Sequence, residues 1–149
     1  MSATNPARAG TPTATEVWFT MNSLVRDQSR ESRARITEVI DIPFSRFRAL
    51  RRVAVQPMTQ RELAQRMGVD KSAMSGIVDD LVEHGLVTRE DDPDDRRCRR
   101  VTITEAGRRV VTAVTDNPAT APDMFDALTD AELRQLAGLL EKLRRAAES

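Results

Sequence analysis

The hydrophobic period of this 149-residue chain changes at a single point, and that change limits the folds open to it. Up to His84 the apolar residues recur every three or four positions. After Gly85 they alternate, in "LVTRE" (Leu86 to Glu90) and again in "RRVTIT" (Arg99 to Thr104). Both runs are short and rich in β-branched residues, with Val101 and Ile103 on one face. They bracket "DDPDDRRCRR" (Asp91 to Arg100), which holds four acids, four arginines, a proline and the only cysteine of the chain. Alone, such a run reads as a linker, a metal-binding acidic loop or a hairpin tip; its flanks make it a hairpin connection.

Upstream, "TQRE" (Thr59 to Glu62) forms a capping box, in which the Thr hydroxyl takes an orphan backbone N–H and the Glu reaches back. It opens a short helix with Leu63, Ala64 and Met67 that stops at Gly68. Asp70 caps the next helix, whose buried face is expected to hold Ala73, Ile77, Val78, Leu81 and Val82 and whose end falls at His84-Gly85. Two compact helices joined by a glycine turn and followed at once by a hairpin make a winged helix-turn-helix. The flanks are helical too. One pattern runs from Thr15 past Trp18, Leu24 and Ile36 to Pro43, and a second from about Pro43 through Phe44, Phe47, Leu50 and Val53. Thr104 opens a helix through Val114, and a second capping box, "TDAE" (Thr129 to Glu132), opens the last, with Leu133, Leu136, Leu139, Leu140 and Leu143 in a stripe. The fold class is therefore mostly α with a small β-hairpin wing.

In this arrangement the second helix enters the major groove of DNA and the hairpin tip reaches the adjacent minor groove, where arginine is favoured by the negative potential. The sequence assigns Arg97 as the inserted residue and Asp95 as the carboxylate that braces its guanidinium. Arg96, Arg99 and Arg100 become backbone contacts, with Asp92-Pro93 shaping the turn. On the recognition helix, Lys71, Ser72 and Ser75 occupy the polar N-terminal face, and Gln60 at the start of the preceding helix is a backbone contact. Met74 suits either a thymine methyl group or the core.

A formal net charge of zero and a pI near 6.6 argue weakly against a nucleic-acid partner, but the distribution matters more. Residues 30–52 hold seven arginines against three acids, and residues 96–109 hold six against Glu105 alone. With one His and one Cys there is no Cys/His zinc set and no intrachain disulfide, so no metal, no cofactor and a reducing cytoplasm are expected. No apolar run approaches the ~20 residues of a membrane span. No nucleophile–His–acid set and no phosphate-cradling glycine loop is present, so the chain does not read as an enzyme.

The stretch "MTQRELAQRMGVDKSAMSGIVDDLVEHGLVTREDDPDDRRCRRVTITEAG" (Met58 to Gly107) resembles the DNA-binding core of the MarR family of bacterial transcriptional regulators. The D-x-R of its wing is matched by Asp95 and Arg97, the T-x-x-G after the wing by Thr104 and Gly107, and the turn after the recognition helix by Gly85 to Val87. The resemblance implies a homodimer with interlocked N- and C-terminal helices that binds a palindromic operator on double-stranded DNA. It also implies a repressor commonly released by a small lipophilic or phenolic effector. The leucine stripe at 133–143 and the stripe carrying Trp18 support a dimer independently, since both would be apolar patches on a monomer. The expected organisation is a disordered tail over 1–14 and one domain over 15–149. Its winged helix-turn-helix core spans about 43–104, between dimerisation helices at about 15–42 and 105–147.

Several residues depart from the family pattern. Gly76 stands where many relatives carry an arginine, and Asp79-Asp80 put two carboxylates where relatives often have one acid and one arginine. Those acids repel phosphate unless nearby arginines neutralise them, which points to modest affinity with more of it carried by the wing. They also keep open a protein–protein adaptor that has lost DNA binding. Cys98, among four arginines, admits a redox-responsive regulator. His84 suits the negative end of its helix. Trp18, Phe44 and Phe47 either line an effector pocket or pack the core.

Overall fold

The structure, a computed structural model, describes residues 10–149. Residues 1–9 of the expected N-terminal tail lie outside the described residues. Helix α1 (Ala14–Val39) starts one residue earlier than its apolar pattern suggests, because Thr13 and Glu16 form a capping box. Pro43 caps helix α2 (Phe44–Val55) with extended backbone and is not its first helical residue. The strand β1 (Met58–Thr59), helix α3 (Gln60–Met67) and helix α4 (Lys71–Glu83) follow. The expected box on Thr59 and Glu62 and the Asp70 cap are both formed. Gly68 ends α3 in the left-handed conformation, with φ of 65°, which glycine adopts without a Cβ penalty.

Strands β2 (Val87–Asp91) and β3 (Arg99–Ile103) form the expected antiparallel hairpin. Strand β1 pairs with the other edge of β3, giving the order β1-β3-β2. Helix α5 (Glu105–Thr115), two short 3-10 turns (Pro118–Thr120 and Asp123–Ala127) and helix α6 (Asp130–Ala147) complete the chain. Thr129 and Glu132 cap α6 as expected.

The core is the winged helix-turn-helix itself. Phe47, Leu50, Leu63, Met74, Leu81 and Val101 are essentially inaccessible to solvent. Along α4 the buried stripe is Met74, Ile77, Val78 and Leu81, a clean i, i+3, i+4, i+7 series. Met74 is therefore a core residue. Ala73 and Val82 are exposed, contrary to expectation, because they lie on either flank of that stripe. By contrast, no residue of α1 or α6 is buried. Trp18, Phe19 and Val25 on α1 and Leu133, Leu139, Leu140 and Leu143 on α6 all face solvent in the single chain.

Where the hairpin returns to α5, Thr104 donates its hydroxyl to the Gly85 carbonyl at 2.7 Å and accepts the Gly107 N–H at 3.1 Å. This clip presses the first turn of α5 onto the turn after α4. A Cβ at Gly107 would stand 2.2 Å from the Leu86 carbonyl oxygen and 2.7 Å from a side-chain carbon of Ile103. The spacing of Thr104 and Gly107 thus has a steric cause. Gly107→Ala is expected to destabilise the protein by about 2 kcal/mol or more, read as a lower urea midpoint at unchanged slope.

Candidate nucleic-acid interface

The wing takes its shape from its acids. In the loop between β2 and β3, the Asp92 N–H donates to the Cys98 carbonyl at 3.0 Å, and the Cys98 N–H to the Asp95 carbonyl at 3.0 Å. Asp92 is the one buried charged residue among the described residues. Its Oδ1 accepts the Asp94 N–H at 2.9 Å and lies 3.6 Å from Arg100 Nε. Arg100 is thereby partly committed to the loop, while Arg96, Arg97 and Arg99 are exposed.

Asp95 does not brace the Arg97 guanidinium. Its Oδ1 accepts the backbone N–H of Arg97 at 3.0 Å, an Asx turn that orients the main chain and leaves the Arg97 side chain without an ion pair among the described residues. The local bond wins because a carboxylate reaches the amide two residues on with no long side chain to immobilise. The polar contact of the Cys98 sulfur is the Asp95 carboxylate, at 3.8 Å.

The recognition helix α4 presents Lys71 and Ser72, both exposed, and the half-buried Ser75 in its first turns. A Cβ at Gly76 would meet nothing, so that position is open surface. The two carboxylates are each neutralised by an arginine from another element. Asp80 Oδ2 accepts from Arg46 of α2, from Nε at 3.0 Å and Nη2 at 2.5 Å, a forked contact. Asp79 pairs with Arg89 of β2, whose Nη2 also lies 3.5 Å from Gln60 Oε1 at the start of α3. Asp79, Arg89 and Gln60 therefore tie the recognition helix, the wing and α3 together. Arg46 and Arg89 were not legible as site residues. The one available signal was the alternation of β2, which puts Arg89 in phase with the buried Val87.

The remaining sequence assignments separate. His84 accepts its expected place at the end of α4, with Nδ1 2.7 Å from the Asp80 carbonyl oxygen. Phe44 and Phe47 are brought together, Phe47 buried and Phe44 6.5 Å from it under the Arg33 guanidinium, while Trp18 stands exposed on α1 in the single chain. A cleft of about 370 Å³ lies elsewhere, between the end of α1, the end of α4 and α5. Its walls include Ile40, Ile42, Leu86 and Val110, with Asp41, His84 and Arg109 as polar members.

The fold is shared with known transcriptional regulators. The model of the MarR family matches residues 40–97. The uncharacterized HTH-type transcriptional regulator YpoP of Bacillus subtilis is 35% identical over 133 residues, covering 87% of this chain and 94% of YpoP. The solved transcriptional regulator BldR of Sulfolobus solfataricus superposes with a TM-score of 0.60 at 28% identity, covering 88% of this chain and 94% of BldR. CouR of Rhodococcus jostii, solved with p-coumaroyl-CoA bound, gives 0.62 at 27% identity, covering 83% and 90% of the two chains.

The Arg46–Asp80 pair is half-exposed, so its loss is expected to cost about 1 kcal/mol or less in stability. Its effect on an anionic partner is larger in kind, because Arg46→Ala leaves a bare carboxylate on α4. That variant is expected to weaken binding to duplex DNA, and Arg46→Ala/Asp80→Ala to recover most of it, as measured by fluorescence anisotropy. Equal weakening in the single and double variants would contradict the neutralising role.

Proposed function

We propose that this chain, which belongs to the MarR family of transcriptional regulators, is a sequence-specific repressor. It acts in the cytoplasm as a homodimer on a palindromic operator. The observation that carries the reading is a convergence. The exposed wing arginines, the first turn of α3 and the side of α4 are held together through Arg89, and the two carboxylates of α4 are already paired. The surface offered to a phosphate backbone is cationic although the chain as a whole is neutral.

Lys71, Ser72 and Ser75 then read base edges in the major groove, Gln60 holds a phosphate, and Arg97 enters the minor groove flanked by Arg96 and Arg99. Asp95 acts through the Arg97 backbone. The exposed apolar stripes of α1 and α6 bury against those of a second copy, which sets the two recognition helices about 34–36 Å apart for one face of the duplex. The cleft beside Ile40 and Val110 suits a small lipophilic or phenolic effector, with Arg109 and His84 available to a polar group on it. CouR, solved with p-coumaroyl-CoA bound, supports effector binding in a protein of this fold. Among the described residues no helix is long and apolar enough to cross a membrane.

Genomic footprinting of the wild type against Arg97→Ala tests the reading. A sharp palindromic peak that vanishes in the variant is expected; no peak in the wild type would overturn it and favour an adaptor. For the dimer, Leu140→Glu/Leu143→Glu is expected to halve the mass seen by sedimentation at micromolar concentration, and an unchanged mass would contradict the α6 interface.

A further inference from the structure

Arg61 and Arg89 have no assigned part in DNA recognition, yet both line a second cleft, of about 270 Å³, between the first turn of α3 and the wing. Gln60, Arg97 and Arg99 line it with them, and no carboxylate does. Four guanidinium groups from three separate parts of the chain face one concavity: the start of α3, strand β2, and the wing with the start of β3.

Arg89 reaches this cleft by an unusual route. Its register partner is Val101, the inaccessible centre of the sheet, so its side chain leaves β2 on the core side. It is consequently only 25% exposed. A side chain on that face is normally apolar, because taking a cation out of water is costly unless partners hold it. Here Asp79 holds one side of the guanidinium, and the Gln60 carboxamide oxygen lies on the other at 3.5 Å. With that oxygen turned toward Arg89, the Gln60 amide N–H2 is left to donate elsewhere. Arg61 is exposed and makes no ion pair among the described residues, and Arg99 has only a loose one with Asp91 at 3.8 Å. The cleft therefore offers a converging set of N–H donors to a group that can only accept, and its side-chain charge is positive.

We propose that this cleft is a phosphate seat, in which Arg61 and Arg89, with the Gln60 amide, hold one backbone phosphodiester of duplex DNA beside each wing. The inference rests on the DNA-binding reading and adds two residues to it. The occupant is a duplex backbone because the cleft shares Arg97 with the wing tip, so a strand gripped by the wing passes its opening. Asp79 is a positioning residue: it keeps Arg89 aimed into the cleft and does not itself meet the phosphate.

The test uses the full-length protein and a short mixed-sequence duplex, since a phosphate contact is blind to sequence. Affinity is followed against salt for the wild type, Arg61→Gln, Arg89→Gln, the two combined, and Arg108→Gln, an exposed arginine of α5 outside the cleft. Each lost phosphate contact lowers the log–log slope by about 0.9, close to two for a dimer. Because the two arginines share one phosphate, that full decrease is expected for Arg61→Gln/Arg89→Gln, a smaller one for each single cleft variant, and the wild-type slope for the α5 variant. Arg61→Gln alters only an exposed side chain, so it keeps the test sound if Arg89→Gln unfolds. Cleft variants whose slopes match that of Arg108→Gln would overturn the phosphate seat alone. A wild type with no salt-dependent binding would overturn the DNA-binding reading beneath it.

Discussion

The packing of α4 is the contact on which the rest of this molecule depends. Met74, Ile77, Val78 and Leu81 lie on one stripe and are buried against α2, α3 and β2. Burying four such side chains contributes on the order of 1.5–3 kcal/mol each before the cost of ordering them. Because the stripe is continuous, it fixes the rotation of α4 about its axis. Lys71 and Ser72 are left outward in the first turn, and Asp79 and Asp80 are directed toward neighbouring elements. A rotation by one position would bury charge and expose Met74.

Electrostatics then acts on a geometry already set by packing. Two carboxylates on a helix that must approach a polyanion are a liability, and in this fold each is answered by an arginine from another element. Both pairs are half-exposed, so neither contributes much to stability. Their effect is on the field, which they turn from repulsive to neutral along α4 while the unpaired arginines of the wing and of α3 remain cationic. The acids of the wing serve the same end by another means. Asp92 and Asp95 satisfy backbone N–H groups in a tight loop, and Arg96, Arg97 and Arg99, which follow them, are exposed.

Much of this was legible in the sequence, and what was hidden has a physical explanation. Helix boundaries were readable because caps are local: Thr59 with Glu62, Asp70, and Thr129 with Glu132 each announce a start within four residues. The same signal at Thr13 and Glu16 is masked by the small, proline-broken residues before it. Strand β1 could not be read, since two residues carry no alternation. The partners of Asp79 and Asp80 lie ten and thirty-four residues away and are decided by how α2, α4 and β2 pack. The role given to Asp95 failed for the opposite reason, because a short-range backbone bond was available and pre-empted the longer reach to the guanidinium. The apolar stripes that carry Trp18 and the leucines of α6 are legible in the sequence, and in a single chain they remain uncovered.

The proposed DNA-binding surface runs continuously across α3, α4 and the wing. Amide hydrogen exchange, followed by mass spectrometry with and without an operator-bearing duplex, tests it most directly. Slowed exchange is expected in three separate stretches at once: Gln60–Arg61, Lys71–Ser75 and Asp92–Arg100. The buried half of α4, already protected, should be unchanged. Protection confined to the wing, or absent from all three stretches while the duplex is bound, would contradict it.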